Sequence, residues 1–179
     1  MKLVLDTCVL YPTVMREVLL GAAKAGHFQP LWSERILEEW ARAAVKLGPT
    51  GEAQARSEIA LVKASWPKAI VQSSPGLEAR LWLPDAGDIH VLAAAVAGSA
   101  DGIVTVNRQD FPRHILAEED LQRFDPDGLL HGFWVEDPAG MAAVGKSVLA
   151  EANRLSGDTW QMRPLLKKAR LPRLAKALE

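Results

Sequence analysis

The chain has 179 residues, 49% hydrophobic and 24% charged, with a net charge of −1, which fits one globular domain with a full core and neither a disordered nor a collagen-like chain. Its single cysteine, Cys8, excludes an intramolecular disulfide scaffold and a thiolate zinc cage, and fits a reducing cytoplasm. The near-zero charge hides an asymmetry: residues 163–179 carry six cations against Glu179 alone, a net +5, while the preceding body is at −6.

Lys2 to Asp6 reads as a buried strand of a parallel sheet that ends in a carboxylate. A helix over Thr13–Ala25 follows, with Val14, Val18, Leu19 and Ala22 on one face, and then a strand over His27–Trp32 in which Pro30 limits how central it is. Ser33 is a helix N-cap, with Ile36, Leu37, Trp40, Ala41 and Ala44 at helical spacing behind it, and Gly48 to Gly51 breaks that helix. Glu52–Trp66 is a further amphipathic helix stopped by Pro67. Ala69-Ile70-Val71 is a short strand, and Leu83 to Gly87 is a turn feeding the helix Asp88–Gly98.

Gly102 to Val106 is the clearest remaining strand. Beyond Phe111 the pattern predicts short helices with turns at residues 125–128 and 137–140. In the tail, Arg163, Lys167 and Arg170 stand at one-face helical spacing opposite Leu165, Leu166, Leu171 and Leu174, a face either merely solvated or able to track phosphates. Strands alternating with helices predict an α/β fold with a mostly parallel sheet, plus a helical C-terminal extension. The expected division is 1–125 and 126–179.

No leader is expected, because Asp6 interrupts the first apolar run after Leu5. The later run from Val91 to Ala97 is far below the ~20 residues that cross a bilayer, so a soluble, cytoplasmic protein without membrane contact is expected. The four histidines lack metal-ligand spacing, and His90, two residues past Asp88, points to a different helix face from it, so zinc catalysis is not expected.

Ligands of open parallel sheets bind outside the carboxyl ends of the strands. Asp6, Asn107 and Asp110 lie at such ends, Asp88 opens a helix there, and Glu39 lies six residues beyond Ser33. Several carboxylates in one cleft raise one another's pKa unless a cation neutralises them, and a hard divalent ion such as Mg²⁺ or Mn²⁺ is the natural partner. Such ions support in-line phosphodiester hydrolysis without a Ser, His or Cys nucleophile.

Leu3-Val4-Leu5-Asp6-Thr7, Ser33 with Glu39 six residues on, Asp85-Ala86-Gly87-Asp88 before Val91-Leu92-Ala93-Ala94-Ala95, and Ile103-Val104-Thr105 with Asn107, Asp110 and Phe111 together resemble the PIN domain over about residues 2–112. The subgroup most resembled is the VapC-like ribonuclease toxins. The resemblance implies a three-layer α/β/α sandwich and a metal-dependent endoribonuclease acting on RNA. It also implies a cognate antitoxin and a homodimer.

Carried over by position, Asp6, Glu39, Asp88 and Asp110 become the catalytic, metal-holding acids. Glu39 fits better than Glu38. Asp85 is an auxiliary acid or simply the helix cap, and Thr105 an orienting hydroxyl. Asn107 stands where the family often has aspartate, so Asp110 supplies the missing charge; as a bland reading, Asn107 is only a turn residue.

Three other readings compete. A haloacid-dehalogenase-like phosphatase needs an aspartate two residues after its nucleophile, where this chain has Cys8. A cysteine phosphatase needs a phosphate-cradling loop, but Val9 to Met15 has neither glycine nor a basic residue, so Cys8 reads as packing. The non-enzymatic alternative is a degenerate PIN module that binds RNA or a protein partner without cleavage.

Overall fold

The computed structural model describes residues 1–179. Strand β1 (Lys2–Leu5) runs parallel to β2 (Gln29–Leu31), with Leu3 opposite Pro30, and parallel to β3 (Gly102–Val104), with Val4 opposite Ile103. Strand β4 (Gln122–Phe124) completes the order β2-β1-β3-β4. Leu3, Val4, Leu5, Ile103 and Val104 are all fully buried, the mark of parallel strands covered on both faces. Pro30 is tolerated because β2 is the edge strand and has only one partner to satisfy. The fold is of the expected α/β class, with helices following the strands and closing the chain.

Several elements depart from expectation. The first strand stops at Leu5, and Asp6 instead caps a four-residue helix, α1 (Thr7–Leu10), its Oδ1 accepting from the Thr7 amide. Residues 69–71 make only one bridge, Ile70 to Trp32, rather than a strand. Strand β3 ends at Val104, because Thr105 leaves the ladder to present its hydroxyl to the Asp6 carboxylate.

Two compact units are present, one of Met1–Tyr11 with Gln29–Arg123, the other of Pro12–Phe28 with Phe124–Glu179. The first holds β1 to β3, α1, and α3 (Glu34–Ala43), which opens on Ser33 Oγ accepting from the Ile36 amide. It also holds α4 (Gly51–Ser65), α5 (Pro75–Arg80), α6 (Ile89–Ala97) behind a 3₁₀ turn over Ala86–Asp88, and α7 (Arg113–Glu118).

The second unit packs α2 (Thr13–Lys24) with α8 (Pro126–Glu136), α9 (Pro138–Ser156), α10 (Met162–Lys168) and α11 (Pro172–Ala177). Helix α9 is one run of 19 residues rather than short pieces. Glycine in a helix interior is ordinarily unfavourable, but here it permits close packing. A Cβ on Gly145 would stand 2.7 Å from Leu178 Cδ1, and one on Gly21 of α2 would stand 2.7 Å from Val144 Cγ1 of α9.

The expected docking leucines Leu165, Leu166, Leu171 and Leu174 are buried. The basic face opposite them is not continuous, because α10 ends at Lys168 and Arg170 adopts a left-handed backbone with φ of 65°. No helix is long and apolar enough to cross a membrane.

Candidate metal centre

Asp6 sits at the end of the central strand and is only 6% exposed. Its Oδ1 accepts from the Thr7 amide at 2.8 Å, and its Oδ2 from the Thr105 hydroxyl at 2.8 Å. Cys8 Sγ lies 3.3 Å from both Asp6 Oδ2 and Thr105 Oγ1. Burial pushes the Asp6 carboxyl above the ordinary aspartate range; the bonds from Thr105, Cys8 and Thr7 offset this only in part, and Glu39 adds repulsion. The Cys8 thiol is pushed up to about 12 by burial and by the Asp6 carboxylate, which rules it out as a nucleophile at neutral pH.

Asp85, Asp88 and Asp110 come together from two loops, with one carboxylate oxygen of each within 4.8 Å of the others. The sequence suggested that Asp85 either caps the helix or assists the site; it does cap, accepting from the Gly87 amide at 2.8 Å, and it also belongs to this acidic triad. Asp110 is held by Asn107, whose Nδ2 donates to Asp110 Oδ2 at 2.8 Å and whose Oδ1 accepts from the Asp110 amide at 3.3 Å. The Asn107 amide in turn donates to Thr105 Oγ1 at 3.0 Å, so Thr105 links Asp6 to the Asn107–Asp110 pair.

Asp88 is the electrostatic hub. Its carboxyl is raised from 3.8 to about 6, first by burial and then by repulsion from Asp6, Asp85, Asp110 and Glu39. Its Oδ2 is buried with no hydrogen-bond partner. A buried carboxylate oxygen without a donor is costly, and a divalent cation relieves both the desolvation and the crowding of like charges. All-oxygen donors are the set that hard ions such as Mg²⁺ and Mn²⁺ take, so the residues present fit such an ion.

Glu39, the fourth expected acid, projects from α3 and is more fully engaged. Its Oε2 accepts from the Thr7 hydroxyl at 3.2 Å, a proton shared with Ile36 O, and its Oε1 lies 2.5 Å from His90 Nε2 and 4.0 Å from Arg35 Nε. Burial raises its pKa, but His90, Thr7 and Arg35 outweigh burial and hold it below the ordinary glutamate range. Sequence reasoning missed His90, which is 3% exposed on α6. What its side chain meets is Glu39.

Positive charge gathers beside the Asp110 loop. Arg123 donates to Arg108 O at 3.1 Å and Phe111 O at 2.9 Å, and its pKa is lowered by burial and by the neighbouring Arg113 and Arg108.

Compared with known families, residues 2–109 match the PIN domain. No curated protein and no solved structure matches.

Proposed function

Because the chain belongs to the PIN domain family, whose members are generally metal-dependent nucleases, we propose that it is a Mg²⁺- or Mn²⁺-dependent endoribonuclease that hydrolyses RNA phosphodiester bonds. The observation that carries this reading is Asp88, a carboxylate with a buried, unpartnered oxygen at the focus of four other acids. Asp6, Asp88 and Asp110 would hold the ion, with Glu39 as the fourth acid of the site and Asp85, Thr105 and Asn107 as auxiliaries. When bound, a divalent ion supplies Lewis acidity to the phosphodiester and lowers the pKa of water.

The chain's own residues do the positioning. Thr105 and the Thr7 amide fix both oxygens of Asp6, and Asn107 fixes Asp110. Thr7 and His90 fix Glu39. Arg108, Arg113 and Arg123 surround the Asp110 loop with positive charge for RNA phosphates, a contribution that weakens with salt.

A finer proposal follows from the resemblance of the acidic blocks to those of the VapC-like toxins. It is that this nuclease is the toxin of a type II toxin–antitoxin pair, held by a cognate antitoxin, homodimeric and cytoplasmic. Residues 1–125 would then form its nuclease domain and 126–179 a helical extension.

Purified protein incubated with single-stranded RNA and Mn²⁺ tests the enzyme reading. Cleavage that stops with EDTA and falls about 100-fold or more in Asp6→Asn is the expected result. Wild-type and Asp6→Asn proteins of equal activity would refute it, and RNA binding unchanged by EDTA with no cleavage would favour a binding module. Growth arrest rescued by co-expressing a neighbouring small reading frame tests the toxin reading.

A further inference from the structure

The chain has six tryptophans, of which Trp32 and Trp40 are buried and Trp66, Trp134 and Trp160 partly covered. Trp82 alone is open to solvent, at 63% exposure. It lines a pocket of about 340 Å³ with Arg80, Leu92, His114, Ile115 and Glu119.

The position of that pocket along the chain links it to the acidic site. Trp82 lies three residues before Asp85, Leu92 four after Asp88, and His114 four after Asp110. Each wall therefore comes from one of the segments that bring the three aspartates together. From Asp88 to Leu92 the helix rises only about 6 Å. The pocket and the acidic triad thus share three chain segments, 80–85, 88–92 and 110–119.

The walls suit a base. Unpaired bases stack on aromatic faces and are read along their edges by polar side chains. Arg80 is pinned flat by a two-point contact with Glu119, Nη1–Oε1 at 2.7 Å and Nη2–Oε2 at 3.2 Å, which fixes one charged wall of the pocket. His114 and Glu118, a ring with two nitrogens and a carboxylate, also line it. A broad apolar patch, as a protein partner would require, is not what these charged walls make.

We infer that Trp82 and this pocket form a stacking subsite for one unpaired RNA base next to the phosphate that is cut. This inference rests on the nuclease reading, and it makes the enzyme selective for single-stranded over duplex RNA, whose bases are already stacked.

The test uses the full-length protein and its Trp82→Phe and Trp82→Ala variants, with a fluorescein-labelled ten-nucleotide single-stranded RNA and the same sequence as a duplex. Anisotropy in EDTA gives the Kd, and cleavage with Mn²⁺ gives KM and kcat separately. Loss of one stack weakens binding by about 5- to 150-fold. The expected result is that loss in Kd and KM for Trp82→Ala on the single strand, with kcat and melting temperature close to wild type, and retention of most affinity by Trp82→Phe.

Trp82→Ala matching wild type in Kd and KM would overturn the subsite while leaving the nuclease standing. Wild-type protein that neither binds nor cuts RNA would overturn both. Binding that depends on Trp82 in a protein that never cuts would support the subsite and refute catalysis. Unchanged RNA affinity together with a Trp82-dependent fall in sedimenting mass would assign the ring to a protein interface and overturn the proposal.

Discussion

Asp88→Asn should make the metal-free protein more stable at neutral pH while removing its response to metal. The folded chain holds the Asp88 proton up to about pH 6, whereas an aspartate with the ordinary value of 3.8 has already lost it. The native state therefore binds more protons between those values, and stability falls as pH rises through that window. A rise from 3.8 to about 6 corresponds at most to about 3 kcal/mol. Because Asp88 is partly open to water, solvent screening reduces this to about 1–2 kcal/mol.

Asparagine keeps the shape, removes the charge, and can donate to the surrounding carboxylates. For a chain of this size each kcal/mol moves Tm by roughly 2–4 °C, so Asp88→Asn should melt about 2–8 °C above wild type at pH 7.5 in EDTA. The gap should shrink toward pH 4.5. Millimolar Mn²⁺ should raise the wild-type Tm through selective binding to the folded state and leave that of Asp88→Asn nearly unmoved. An Asp88→Asn protein that melts below wild type in EDTA, or gains as much from Mn²⁺, would refute the reasoning.

Three further outcomes follow from the same structure. His90→Ala strips the partly buried Glu39 of its closest partner and opens space in α6, so urea denaturation should show a loss of about 2–4 kcal/mol; a loss under 0.5 kcal/mol would show that the contact contributes nothing. Cys8, with its thiol at about 12, should resist iodoacetamide at pH 8 in the folded protein and react readily once unfolded, as intact mass spectrometry would read. Asp127 accepts from the Arg173 and Leu174 amides at 2.9 and 3.0 Å, so Asp127→Ala should cost about 1–2 kcal/mol and speed trypsin cleavage near Arg170 and Arg173.

The parts of the site legible in the sequence are those encoded locally. An apolar run ending at Asp6, Ser33 as a cap six residues before Glu39, and the close spacings of Asp85 with Asp88 and of Asn107 with Asp110 each declare themselves within a few residues. The Asn107–Asp110 hydrogen bond spans only three residues, yet the sequence offered Asn107 as a replacement for aspartate or a turn residue and did not show that its side chain holds Asp110. His90 was not legible either, because its partner Glu39 is 51 residues away on α3, and helical spacing tells only which direction a side chain leaves, not what waits there.

The fold shows the same division. Helix α5 was missed although Ser74 and Pro75 form a cap and first-turn pair, since its six residues bury no side chain and leave no hydrophobic period. Strand β4 is three partly exposed residues whose existence depends on β3 beside it. Helix α9 runs unbroken through Gly145, whose missing side chain leaves room for Leu178 and Met162, a contact that no local pattern contains.

The most direct test of the central claim is anomalous diffraction from crystals soaked in Mn²⁺. The account predicts a manganese peak bonded to carboxylate oxygens of Asp88 and at least one of Asp6 and Asp110, and no such peak in Asp88→Asn crystals. Saturating Mn²⁺ that leaves these oxygens bare, or an ion bound elsewhere on the chain alone, would contradict it.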